Sequence, residues 1–366
     1  MRLRAFAALA LATLVVCAAP LAGLALGGHA LAPYLEFPPR TMRVVQPPFD
    51  WGVFLVLCLP ALGTLELYLS ALDRASPRQN APAAGRFRWW GWLGIALIVI
   101  EWPIAWTGGL VSPALRMHTF SLLWLGYILV MNGLVWRRSG TSLLTHRTRW
   151  FLALFAVSAG FWWLFEYLNQ FVYNWYYAGV GGMGDMEYFI RATLPFATVL
   201  PAVASTREWL RQFPRFDAMT LPAARGNAAL AWVAFAVGTL ALAAIGVRPD
   251  LLFPMLWIAP VLVLAGLGQL VVGETVFSPL AGGDWRPILQ PALAALVCGF
   301  FWEMWNYGSL PKWHYTVPYV QRWQIFEMPL IGYAGYLPFG IECALVMDLV
   351  ARMVERRPEW PPRNTT

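Results

Sequence analysis

Ten stretches of this chain are each apolar for long enough to cross a bilayer: residues 6–28, 51–72, 89–108, 115–136, 150–171, 189–209, 227–247, 251–272, 288–307 and 325–351. A helix rises about 1.5 Å per residue, so about 20 largely apolar residues cover the roughly 30 Å of hydrocarbon. Within that layer no water can satisfy a backbone N–H or C=O, and a run of this length must close its hydrogen bonds on itself as a helix. The expected fold class is therefore all-α, a polytopic transmembrane helix bundle of about ten spans. Charged residues make up only 12% of the chain and hydrophobic ones 59%, against about 25% charged in a soluble domain.

The basic residues test this reading independently. With the N-terminus placed in the cytoplasm, 19 of the 26 arginines and lysines fall on cytoplasmic segments and 7 on the other side, alternating loop by loop. Cytoplasmic loops carry such an excess. The expected location is a bacterial-type inner membrane with both termini cytoplasmic. A net charge of +7 often signals nucleic acid. Here the arginines are dispersed over short loops, so no nucleic-acid partner is expected. Membrane lipids are the expected surroundings. Residues 1–30 also fit a signal peptide, with Arg2 and Arg4 before an Ala/Leu run; the run is long for that role and is read as a retained first helix.

The whole chain, 1–366, reads as one integral membrane domain with an internal repeat. Residues 160–177, GFWWLFEYLNQFVYNWYY, parallel residues 299–315, GFFWEMWNYGSLPKWHY. Both open on Gly-Phe, carry Trp beside Glu-x-x-Asn, and reach Trp-x-Tyr six or seven residues after the Asn. The next helices correspond too, LPFATVLPAVASTRE with YLPFGIECALVMD. The offset is four spans, an even number, which predicts a parallel repeat. Residues 89–226 (spans 3–6) form repeat one, 227–366 (spans 7–10) repeat two, and 1–88 a leading helix pair. Residues 73–88 are expected as a flexible basic loop and the tail beyond Glu355 as unstructured.

Carboxylates inside lipid-spanning segments are expensive and so are functional candidates. Glu-x-x-Asn puts acid and amide on one helical face. Glu303, Asn306, Glu327 and Glu342 are the candidate catalytic residues. Glu303 and Glu327 are the proton donor or base, expected to face each other as an acid pair, with Asn306 orienting them and Glu342 as a deeper carboxylate. Glu166, Asn169, Trp302, Trp313 and Tyr315 are the candidate substrate-binding residues. The competing reading is structural pairing, Arg191 with Glu166 or Glu187 and Arg322 with Glu327, with Glu66 and Asp348 solvated or paired near the inner boundary. Many of the 21 tryptophans sit beside these acids, where their rings would stabilise a cation or anchor the bundle at the interface. The four cysteines fall in apolar runs as fillers, and the four histidines do not cluster, so no metal and no cofactor are expected. There is no Gly-x-Ser-x-Gly, His-Glu-x-x-His or P-loop.

The stretch from Trp302 to Glu342 resembles the heterodimer-type membrane lycopene cyclases. The matching residues are Trp302, Glu303, Asn306, Tyr307, Trp313, Tyr315, Gly332, Gly335, Pro338 and Glu342, with Trp163, Glu166, Asn169, Trp175 and Tyr177 in the first repeat. The resemblance implies an intramembrane acid site that protonates a C=C bond of an isoprenoid and cyclises it without redox change. The leading expectation is thus a lycopene-cyclase-like membrane enzyme acting on an isoprenoid or other lipid. A secondary transporter and a non-catalytic membrane scaffold are the alternatives. An enzyme predicts an apolar cavity with acids at its end, a transporter a polar path to both faces, and a scaffold paired acids without a cavity.

Overall fold

The structure is a computed structural model that describes residues 1–75 and 85–360. Most of the expected basic loop at 73–88 and the last six residues lie outside the described residues. The chain runs through helices α1 (Arg2–Leu26), α2 (Trp51–Asp73), α3 (Trp89–Trp106), α4 (Pro113–Ser139), the single turn α5 (Leu143–His146) and α6 (Thr148–Val172). Strand β1 (Trp175–Ala178) leads to α7 (Asp185–Phe196) and α8 (Val199–Leu210). Then come α9 (Ala228–Ile245), the turn α10 (Pro249–Leu252), α11 (Met255–Leu267), α12 (Arg286–Gly308), β2 (Lys312–Tyr315), the two-residue strands β3 (Gln324–Ile325) and β4 (Met328–Pro329), and α13 (Tyr336–Val354). Among the described residues, nine helical segments are long and apolar enough to cross a membrane, with α7 and α8 together forming one of them. That is compatible with a multi-pass membrane protein.

Local chemistry sets the ends. Asp50 caps α2 by accepting from Val53 N–H at 2.9 Å, and Asn227 caps α9 through Leu230 N–H at 2.8 Å; each satisfies one orphan donor of a first turn. The sixth span breaks between α7 and α8. Pro195 and Pro201 lack N–H donors there, and Ser158 of α6 mends the gap. Its hydroxyl donates to Phe196 O at 2.6 Å and accepts from Leu200 N–H at 3.0 Å.

The tenth expected span, 325–351, is corrected. Residues 324–329 form a tight hairpin and 330–335 a 3-10 turn, so the helix starts only at Tyr336. Pro329, Gly332 and Gly335 account for the late start, since proline removes a donor and glycine costs helix propensity. α13 carries Glu342, Asp348 and Arg352 and is buried along most of its length.

Small residues let the helices approach closely, as in membrane packing generally. A Cβ on Gly94 of α3 would sit 2.6 Å from the Gly126 carbonyl of α4, and one on Gly266 of α11 2.7 Å from the Ala231 carbonyl of α9. The α1 stripe Ala5, Ala8, Ala12, Val16 and Ala19 is buried against α9, α11 and α13. α2 is different: none of its most apolar window is buried. It is pinned at its ends. Asp50 N–H donates to Tyr319 O at 2.8 Å and Trp51 packs on Trp323, while at the far end the Tyr68 hydroxyl donates to Leu289 O of α12. Leu55, Leu59, Leu62 and Leu69 point outward, exposed.

The two strands that follow α6 and α12 pair with each other. β1 and β2 are antiparallel, with Trp175 opposite Tyr315, Tyr176 opposite His314, Tyr177 opposite Trp313 and Ala178 opposite Lys312. This ribbon covers one end of the bundle and positions the site.

The tail departs from expectation as well. Glu359 is buried between Arg147 and Arg207, its N–H donates to Asp348 Oδ1 at 2.8 Å, and the Arg207 guanidinium lies 4.6 Å from the Trp360 ring centre. Residues 358–360 are therefore docked, while Arg356 and Arg357 stay exposed, because the buried Arg207 and the partly buried Arg147 require an anion.

Candidate functional site

The two Glu-x-x-Asn pairs end α6 and α12 in the same manner. The Asn169 side-chain amide donates to Trp175 O at 2.7 Å and its carbonyl accepts from Asn174 N–H at 2.8 Å and Trp175 N–H at 3.3 Å. The Asn306 amide donates to Trp313 O at 2.9 Å and its carbonyl accepts from Trp313 N–H at 2.8 Å. Each asparagine therefore folds the strand back under its own helix end. That corrects the expected role of Asn306: its donor and acceptor are spent on the backbone of Trp313, so it places the strand and not the acid. Asn306→Ala would leave both backbone groups of Trp313 without a partner, at about 1–3 kcal/mol for each buried group. Thermal unfolding of the purified protein should show a clear loss of stability. An unchanged melting temperature would remove the clamp.

The fold-back carries Trp-x-Tyr onto the glutamates. Residues i and i+2 of a strand share a face, so ring and phenol both turn inward. Glu166 accepts from the Tyr177 hydroxyl at 2.6 Å, Trp162 Nε1 at 2.9 Å and Trp175 Nε1 at 3.2 Å. Glu303 accepts from the Tyr315 and Tyr336 hydroxyls, both at 2.7 Å and both on Oε1. Its Oε2 is buried with no partner. Burial pushes the Tyr177 and Tyr315 phenols up, and the neighbouring carboxylates Glu166 and Glu303 push them further, so both remain donors at neutral pH. Both glutamates are buried. Among the described residues neither meets a cation within ion-pair distance: Arg191 pairs with Glu187 at 2.8 Å, and Arg322 lies over the Phe49 ring.

The rings that hold the glutamates also form the wall of a cavity of about 300 Å³, next to Trp302, Trp257 and Phe196. Trp162, Trp175 and Tyr177 come from one glutamate's shell, Tyr315 and Tyr336 from the other's. The glutamates sit behind this wall and do not line it. Leu57, Pro60, Ala61 and Thr64 close one side, from the stretch of α2 between its two pinned ends. Trp313 lines the cavity too and donates from Nε1 to the Tyr315 hydroxyl at 3.0 Å.

Glu327 is not an acid partner of Glu303. It accepts from Lys312 Nζ at 2.6 Å and sits 2.9 Å from His314 Nδ1. Burial alone would raise its carboxyl, but the hydrogen bonds and charges of Lys312 and His314 outweigh it and hold Glu327 below the usual carboxylate range. Glu342 is buried in α13 with Oε2 unpartnered, outside the cavity wall. Asp348 is paired with Arg352 at 2.7 Å, and Glu66 is exposed beside Ser70 at 3.1 Å. Trp162, Trp175, Tyr177 and Tyr336 are absent from the candidate catalytic and substrate-binding sets, although Trp175 and Tyr177 are among the residues that match the cyclase pattern. The i, i+2 spacing in Trp-x-Tyr was the available signal for two of them; Tyr336 carried none beyond its place in the second LPF helix.

No family model matches this chain, and neither a curated protein nor a solved structure matches it.

Proposed function

We propose that the protein is a membrane-embedded, lycopene-cyclase-like enzyme that uses buried carboxyl groups for acid/base chemistry on an isoprenoid. The observation that carries this reading is the aromatic cavity whose tyrosines, Tyr315 and Tyr336, reach back to Glu303. The two phenols are the proton path between the carboxyl and the cavity. A proton delivered to one alkene carbon leaves a carbocation on the other. A second C=C attacks it to close the ring, and loss of a proton from a neighbouring carbon back to the site restores neutrality. Trp302, Trp313 and Trp162 present faces that stabilise such a cation. A scaffold would be expected to pair its acids, and among the described residues Glu166 and Glu303 have no cation partner; a transporter would be expected to open a polar path, and the wall is mainly apolar. The test is comparative lipid extraction from cells with and without the gene. A new cyclic isoprenoid in the extract supports the reading, and identical extracts in a host that supplies acyclic precursors overturn it.

The same reading includes a parallel duplication. α3 packs on α4 as α9 does on α11, and both asparagines clamp the backbone N–H and C=O of the Trp that opens Trp-x-Tyr. The β1–β2 register is self-complementary: Trp175 faces Tyr315 and Tyr177 faces Trp313, as a two-fold axis through the ribbon requires if Trp175 is equivalent to Trp313 and Tyr177 to Tyr315. An axis along the membrane normal relates parallel repeats. With the arginine-rich segments taken as cytoplasmic, the ribbon is on the outer face and both termini are in the cytoplasm of an inner membrane. Cysteines at Gly181 and Gln324, both exposed, should then label with an impermeant thiol reagent in intact cells, and one at the exposed Thr145 should not. The reverse pattern would refute this orientation.

A further inference from the structure

The β1–β2 ribbon has a second face. Side chains alternate along a strand, and what the odd positions give the cavity the even positions give a different space. Trp313 and Tyr315 turn to the aromatic cavity, while Lys312 and His314 line a cleft of about 440 Å³ on the opposite side, with Arg116, Trp106 and Tyr307. Leu310, at the ribbon's edge, lines both spaces.

The cleft is basic. Among the described residues Arg116 has no carboxylate partner. Its Nη2 donates to the backbone carbonyls of Gly308 at 3.0 Å and Ala105 at 3.3 Å, and its Nε is buried without an acceptor. The guanidinium lines the cleft with its charge uncompensated, and an anion in the cleft would supply the missing counter-charge. Lys312 lines the same cleft, positioned by Glu327, by the Tyr307 carbonyl at 3.3 Å and by the Tyr307 ring at 5.1 Å. Glu327 offsets one positive charge and leaves that of Arg116 uncompensated. Two cations lining one cleft with a single carboxylate beside them suit an anionic phosphate. The cleft lies at the ends of α3 and α12 with Trp106 and Tyr307 beside it, where interfacial aromatics mark the head-group level.

We propose that this cleft is the head-group half of the site and takes the phosphate of an isoprenoid phosphate whose tail enters the aromatic cavity. This rests on the isoprenoid reading of the cavity and narrows the substrate to a phosphorylated amphiphile.

The test is binding to the full chain in phosphatidylcholine nanodiscs, read by quenching of the cavity tryptophans. The probes are farnesyl phosphate, farnesol and inorganic phosphate. Farnesyl phosphate should bind about ten-fold or more tighter than farnesol, a gap of the size one charge-assisted contact supports. Arg116→Gln and Lys312→Gln should each shrink that gap while farnesol still binds. Equal affinities in the unaltered protein would overturn the head-group assignment and leave the cavity reading standing. A gap that survives both substitutions would overturn the placement in this cleft. Inorganic phosphate that binds as tightly as farnesyl phosphate would make it a free-anion site and sink the lipid proposal. Failure of both farnesyl probes to quench would count against the cavity reading itself.

Discussion

Glu303→Gln is expected to abolish product formation while leaving the fold in place. Glutamine keeps the volume and offers a carbonyl that accepts from Tyr315 and Tyr336, but it has no carboxyl proton to give. Loss of a general acid costs about 10²–10⁴-fold in rate. Stability should change little. Among the described residues no cation faces Glu303, so the substitution strands no partner charge, unlike the breaking of a buried ion pair. Two measurements together decide it: product in lipid extracts, and thermal unfolding of the purified variant. A stable, fully active variant would take Glu303 out of the chemistry. A destabilised variant with normal activity per folded molecule would make the Tyr315–Glu303–Tyr336 contact a structural one. Tyr336→Phe is the companion change. It removes one of the two phenols on Oε1 and should lower the rate without the complete loss expected of Glu303→Gln.

The spans were legible because hydropathy over about 20 residues is a local property. Residues 325–335 were misassigned because the apolar run there is continuous while the backbone chemistry is not: Pro329, Gly332 and Gly335 outweigh hydropathy, and the chain turns twice before α13 starts. The Glu-x-x-Asn motifs are visible in the sequence, but the partner that each amide takes is not. An amide three residues from an acid shares its helical face, but whether it bonds the acid or the returning strand depends on where six or seven further residues go. In both pairs it bonds the strand. Glu327 was legible as a carboxylate near Glu303 in sequence and not as the partner of Lys312 and His314, because the hairpin at 324–329 reverses the chain just before it would enter the bundle. Arg116 gave no signal at all; its interest lies in an uncompensated charge on the wall of a cleft, neither of which is a property of sequence.

The tail shows the same limit from the stability side and carries the largest expected loss of stability. Five charged or proline residues in 355–360 read as a solvated end, yet Glu359 is buried between Arg147 and Arg207. Arg147 keeps Glu355 as a second partner. Arg207 is fully buried, and its only other carboxylate among the described ion pairs is Glu208 at 3.6 Å. Glu359→Ala therefore leaves a buried guanidinium poorly compensated, and breaking such a pair from one side costs about 3–5 kcal/mol. The melting temperature in detergent should fall accordingly, and the Trp360 environment, now stacked against Arg207, should become solvent-exposed by fluorescence. The cost arises from the stranded charge and not from the lost contact, so removing both partners tests the cause. Arg207→Met combined with Glu359→Leu should recover most of the loss, as apolar replacement of a whole buried pair is often neutral or stabilising. A double variant as unstable as Glu359→Ala alone would show that the tail is held by Trp360 packing and the Asp348 hydrogen bond, with the ion pair incidental.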